Sequence, residues 1–268
     1  MLKIALCVIV RLENKYIKEY VDYYKGLGFD KIFIYDNNRP HEEKTVNELQ
    51  NYVYNGFVEI IQWPIFEGNA QKPAYQDCFN GHNSEYDWIA FFDADEYFTP
   101  CNCSNIKDFL NNNLYNDFNG VGIPFKNFDD NDILINNTKK RLNKYTRPIE
   151  PDYRRCYKTI VKCNITNIDF LSTISDGCHL PYIDGGKICD ADGTEIPWNE
   201  IHCDRDIKNA YLKHIPTGCI DDFINGKDLR GWPDKNNSMT FGLEYFSYFN
   251  NLTQEKIDYY NKIKKASS

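Results

Sequence analysis

Apolar positions set two alternating rhythms over the first hundred residues. Lys3 to Val10 is an almost unbroken apolar run and reads as a buried strand. Arg11-Leu12-Glu13-Asn14 breaks it. From Lys15 to Leu27 the apolar residues fall at Ile17, Tyr20, Val21, Tyr24 and Leu27, which is helical spacing, and Gly28 is placed to cap the end. Lys31 to Tyr35 predicts a second strand that closes in the polar turn Asp36 to Pro40. Glu43 to Val53 fits a second helix with Val46, Leu49 and Val53 on one face. Val58 to Trp63 is a third strand, Gln71 to Phe79 a short helix, and Trp88 to Phe92 a fourth strand. For that last run, periodicity alone does not exclude a buried helical turn. Strand and helix in alternation predict right-handed β-α-β units: an α/β chain with a mostly parallel sheet flanked by helices.

The pattern thins after residue 100. Ser104 to Leu114 predicts a helix with Ser104 as N-cap. Gly120 to Phe125 reads as a strand, placed at a sheet edge by Pro124. Asn127 to Arg141 is rich in Asp and Asn and reads as a loop that orders on binding. Lys158 to Cys163 is a further strand. The tail from Ser238 to Lys265 predicts two helices, Met239 to Phe249 and one running from Thr253 through Ile257, Tyr260 and Ile263.

Charge changes the picture at one point. The fourth strand runs straight into Asp93, Asp95 and Glu96, three carboxylates in four positions. Open α/β sheets bind ligands at the carboxyl ends of their strands. Like charges so close repel, and a hard divalent cation with oxygen ligands, Mn²⁺ or Mg²⁺, removes the conflict. Two earlier strand ends also carry polar groups, Arg11 with Glu13 and Asp36 to Asn38, and in a doubly wound sheet these turns lie side by side. Each alone is ordinary turn chemistry; together with the acidic stretch they favour a ligand site. No G-x-G-x-x-G or Walker A sequence follows the first strand, which disfavours dinucleotide and P-loop binding.

The remaining composition mostly excludes. The net charge of −8, without a basic stripe, argues against nucleic acid as partner. Ten cysteines form no Cys-x-x-Cys pair, which disfavours structural zinc. The apolar stretch Ile4 to Val10 is too short for a secretory signal and ends in Arg11, so the expected setting is a reducing cytoplasm. No segment approaches the roughly 20 apolar residues of a membrane span; peripheral membrane contact stays open.

At this level of detail the chain resembles a known family. Cys7 to Asn14, Tyr16 to Tyr24, Leu27 to Asp30 and Ile34 to Asn38 are similar to the start of the family 92-like glycosyltransferases (formerly domain of unknown function 23). That family shares its fold and Asp-x-Asp site with the broader family 2 enzymes. Trp88 to Tyr97 resembles the metal motif, Tyr157 to Val161 the Lys-Ser-Ile-Val segment, and Ser175 to His179 the His-containing turn. Tyr211 to His214, Asp222 to Ile224 and Leu229 to Gly231 resemble the closing segment. The family often has Lys or Arg then Ser after the His-containing strand, whereas this chain has Pro216-Thr217-Gly218-Cys219. Donor and acceptor choice therefore stay open.

The resemblance implies a GT-A domain over residues 1–235, with a nucleotide-sugar half (1–100), an acceptor half (101–235) and a helical extension (236–268) over the sheet or the acceptor groove. It implies transfer of a sugar, galactose being one candidate, from a UDP-linked donor to a saccharide or lipid-linked saccharide. Asp95 is the expected metal ligand, Asp93 the holder of ribose or a metal-bound water, and His214 the third protein ligand. The donor site is expected to draw on Val10, Arg11, Glu13, Asp36, Asn38 and Ala94. Gln71 and Lys72 are expected to contact the donor, and Lys213 and Arg230 to add positive charge near its diphosphate. His179 and Trp198 are expected on the acceptor side, with Tyr182 and Phe128 joining Trp198 in a stacking wall. An inverting transfer needs a base to take the acceptor's proton. Asp176 is the first candidate by position, with Glu150 and Asp204 as alternatives. Two other functions stay open: a nucleotidyltransferase that activates sugars, and a non-catalytic carbohydrate-binding protein on the same fold.

Overall fold

The structure is a computed structural model and describes residues 2–152, 155–231 and 241–267. Its first third follows the sequence pattern closely. β1 (Ile4–Val10), α1 (Asn14–Gly26), β2 (Lys31–Asp36), α2 (Val46–Tyr54), β3 (Val58–Gln62), α3 (Gln71–His82) and β4 (Trp88–Phe91) alternate as expected. β3, β2, β1 and β4 lie side by side in that order, all parallel. Each strand alternates between two cores. Ile4, Leu6, Val8 and Val10 of β1 face α1 and α2, while Ala5 and Cys7 face α3. Sinking such a side chain fully contributes about 1.5–3 kcal/mol over leaving it exposed. That explains why these runs carry few polar residues. Gly28, two residues past the end of α1, has φ +87, which only glycine adopts without strain.

The second half is built by longer-range pairing. β5 (Glu96–Pro100) follows the acidic turn, then α4 (Ile106–Leu110) and β6 (Gly120–Asn127). β7 (Tyr157–Lys162) inserts between β4 and β6, antiparallel to both. Short strands β8 (Ile168–Asp169) and β9 (Tyr182–Ile183) form a separate ribbon. β10 (Ile188–Asp190) and β11 (Glu195–Ile196) extend the main sheet beyond β6. β12 (Ala210–His214) lies parallel to β6 and antiparallel to β5, completing a 10-stranded sheet. α5 (Ile220–Phe223) runs into a π turn (Ile224–Asp228), and α6 (Gly242–Ser247) and α7 (Gln254–Ser267) finish the chain. Among the described residues, no helix is long and apolar enough to cross a membrane.

Several expectations need correction. α2 starts at Val46, not Glu43, because Glu43 accepts the Asn14 N–H at 2.7 Å and Thr45 is turned to Asp36. The cap of α4 is Asn105, whose side chain accepts from Asp108 N–H at 2.9 Å, and the helix stops at Leu110. β6 is internal despite Pro124. β10 reaches only as far as Gly122 and β12 begins opposite Phe125, so Pro124 sits at the step where its missing N–H is not needed. The 127–141 loop is already anchored: Asp130, wholly buried, pairs with Lys256 of α7 at 2.5 Å. α7 covers neither the sheet nor a groove. It packs on α5 and the π turn in a small core of its own around Ile220, Phe223, Ile224 and Phe246. The expected start of the first tail helix, Met239, and the 235/236 boundary lie outside the described residues.

Candidate active site

β1 and β4 are neighbours, and the turns after them diverge into a cavity of about 330 Å³ at their carboxyl ends. Its floor is the acidic turn. Asp93 and Glu96 lock the turn reciprocally: Asp93 N–H donates to Glu96 Oε2 at 2.8 Å, and Glu96 N–H donates to the Asp93 carbonyl at 3.1 Å. The two aspartates then face different partners. Asp93 Oδ2 meets Lys158 Nζ of β7 at 2.9 Å, and its Oδ1 accepts from Gln71 and from Tyr75 Oη at 3.1 Å. Asp95 Oδ2 meets Lys227 Nζ of the π turn at 3.2 Å and His214 Nε2 at the end of β12 at 3.8 Å.

Electrostatics follow from these pairs. Burial opposes ionisation of both aspartates, but Lys158 outweighs it at Asp93 and holds that carboxyl below its ordinary value. At Asp95, Lys227, His214 and Arg141 outweigh burial further. Glu96 goes the other way: burial, then the neighbouring Asp93, push its carboxyl well above the usual range. Its Oε1 has no partner among the described residues. Lys158 and Lys227 stay protonated because their acidic neighbours overcome burial. Burial and Lys158 pull His179 down to about 4, so its imidazole is neutral. The Tyr157 carbonyl accepts from His179 Nδ1 at 2.8 Å, which leaves the lone pair on Nε2.

The same pocket gathers Val10, Arg11, Glu13, Gln71, Ala94, His179, His214 and Arg230 from the expected set. Arg11 is not free there; Glu42 grips it in a fork at 2.7 and 3.0 Å. Glu13 bridges Arg141 at 3.2 Å and Arg230 at 3.5 Å. Asp36, Asn38, Lys72, Lys213, Asp176 and Trp198 do not line the pocket. Asp36 and Asn38 are spent on turn structure, Asp36 accepting from Asn38 and Asn38 from Leu12 N–H. Lys72 pairs with Asp176 at 3.5 Å, and Lys213 donates to the Leu142 carbonyl at 2.7 Å. Trp198 packs edge-on against Tyr182, while Phe128 is buried under Lys213, so the three rings form no common wall. Glu150 and Asp204 line a second, larger cleft of about 920 Å³, and Phe125 borders both cavities.

One oxygen each from Asp95 and Glu96 and one nitrogen from His214 lie within 4.8 Å of one another. Carboxylate oxygens with one imidazole nitrogen are donors that suit Mn²⁺ or Mg²⁺. Asp93, turned to Lys158, is not part of the cluster. Sequence reasoning missed Lys158 and Lys227. A lysine inside the apolar run Tyr-Lys-Thr-Ile-Val was a signal, since a buried ammonium needs a carboxylate. Lys227 stands three residues before Arg230, a helical spacing that puts both on one face.

The sequence profile of glycosyltransferase family 92 matches residues 3–185. A family 92 protein of Ricinus communis is 35% identical over 99 residues, 36% of this chain and 16% of that protein. One of Arabidopsis thaliana is 32% identical over 101 residues, again 36% and 16%. Each match thus spans less than a fifth of the curated relative. Among solved structures, S. aureus TarS (residues 1–349) in complex with UDP-GlcNAc is 16% identical at a TM-score of 0.39, covering 60% of this chain and 45% of that one. Apo UDP-glucose pyrophosphorylase is 10% identical at 0.40, covering 84% and 96%. Likenesses this distant carry no argument. The profile, which takes in more than half of the 268 residues, is decisive: the chain belongs to glycosyltransferase family 92.

Proposed function

We propose that the chain is a metal-dependent, inverting glycosyltransferase of the GT-A type that moves a hexose from a UDP-sugar to a saccharide or lipid-linked saccharide. The observation that carries this is the juxtaposition of Asp95 and His214 on the floor of a pocket at the carboxyl ends of β1 and β4. In that pocket Asp95 and His214 would hold Mn²⁺ or Mg²⁺, which supplies positive charge for a departing diphosphate. Asp93, steadied by Lys158, Gln71 and Tyr75, is oriented for ribose or bound water. Lys227 and Arg230 add cationic charge on the same wall. Three carboxylates on the wall are paired with cations (Glu13, Asp93, Asp95), and the fourth, Glu96, is pushed above its ordinary range by burial and by Asp93. Asp176 sits with Lys72 off the pocket, while His179 lines it with Nδ1 held by the Tyr157 carbonyl and its Nε2 lone pair free to accept a proton or hydrogen bond from an acceptor hydroxyl.

A thermal-shift panel of UDP-, GDP- and CDP-sugars with and without Mn²⁺ tests this. A UDP-sugar at 100 times its Kd should stabilise the protein by about 2.7 kcal/mol, and only with metal. No response to any nucleotide overturns the proposal. One observation favours a second reading. Lys227 Nζ already stands 3.2 Å from Asp95, where a cation would bind, so the ammonium itself could serve the diphosphate. Nucleotide binding unchanged by EDTA would select that reading. Transfer of labelled sugar rather than labelled nucleotide separates both from a sugar-activating nucleotidyltransferase.

A further inference from the structure

Asn127 is the last residue of β6, lies opposite His214 in register, and is 1% exposed. Its side chain spans two groups. Nδ2 donates to Asp152 Oδ1 at 2.9 Å, and Oδ1 lies 2.6 Å from His214 Nδ1. The backbone N–H of Asn127 donates to Asp152 Oδ2 at 3.0 Å as well. A carboxylate only accepts, so Asp152 must face the amide's NH₂ end. That orientation leaves Asn127 an acceptor toward the imidazole. Whenever the His214 ring is neutral, its proton must therefore sit on Nδ1 and its lone pair on Nε2, the atom that looks toward Asp95.

We propose that Asn127, held by Asp152, is a positioning residue that fixes the tautomer and ring plane of His214 so that Nε2 is ready to bind a divalent cation. This rests on the metal-site reading above. It also ties the two cavities together, because Asp152 lines the larger cleft while His214 lines the smaller one.

The test uses the full chain and two readouts. Nitrogen-15 NMR of the metal-free protein should show His214 protonated at Nδ1 and bare at Nε2. Titration with Mn²⁺, followed by the electron paramagnetic resonance of the free ion, reads affinity without any acceptor. Asn127→Ala should mix the tautomers and weaken Mn²⁺ about 10- to 100-fold. The double variant Asn127→Asp with Asp152→Asn exchanges donor and acceptor along the same path, and should return the affinity to within about threefold of native. This variant keeps the idea testable if Asn127→Ala folds poorly. A native Nε2–H tautomer, native Mn²⁺ affinity in Asn127→Ala, or no recovery in the double variant overturns the inference. Failure of the native protein itself to bind Mn²⁺ would instead overturn the metal-site reading, and the inference with it.

Discussion

The two aspartates of the acidic turn face walls built in different ways. Lys158 stands on β7 in the middle of the sheet, 2% exposed and locked between β4 and β6. Lys227 reaches in from the π turn, whose core is separate from the two that sandwich the sheet. The first ammonium has nowhere else to go, so Asp93 is half of a structural ion pair. The second comes from an element outside the sheet, so replacing it should leave the strands undisturbed. Neighbours in sequence thus have opposite tolerances to change.

The largest test of that contrast is Asp95→Asn. It should lower metal-dependent nucleotide affinity at least about 100-fold, some 2.8 kcal/mol, while moving Tm by no more than about 2 °C. Calorimetric titration with UDP and Mn²⁺ checks it; unchanged metal dependence would show that Asp95 is not the ligand. Lys158→Met should do the reverse, destabilising the fold by about 2–3 kcal/mol. The loss is smaller than for a wholly buried pair because the Asp93 side chain keeps 34% exposure. The sign with pH is defined. Asp93 titrates below its ordinary 3.8 when folded, so its contribution is present above that value and fades as pH falls through the folded value. Urea melts at pH 7 and below pH 4 should show the native–variant gap closing in acid. Lys227→Met should be the mildest for the fold, under about 1 kcal/mol. It should tighten Mn²⁺ several-fold, read by calorimetric titration with the ion. Equal stability losses for the two lysine variants would erase the contrast.

The same division governs what the sequence revealed. β1, β2 and β4 are buried on both faces, and β1, β2 and β3 pair in turn across single helices, so these apolar runs announce themselves. β5 was concealed inside the acidic stretch, because Glu96 opens it and its partner β12 lies over a hundred residues on. Two-residue strands such as β8 and β11 carry no period at all. Asp93, Asp95 and His214 were legible as types suited to a cation, but their partners were not. Which lysine meets which aspartate is decided by β7 and the π turn, and no spacing records that. Asp36 and Asn38 show the converse, polar residues at a strand end that serve the turn itself.

The residue after Lys227 sets a practical limit. Asp228 is fully buried and is gripped by Lys264 at 2.7 Å, Tyr260 Oη at 3.0 Å and the N–H of Gly242 at 2.8 Å. Anyone transplanting this pocket onto another scaffold, or trimming the chain for crystals, must carry α7 along. Without it an orphaned carboxylate beside the pocket would pull its own turn apart.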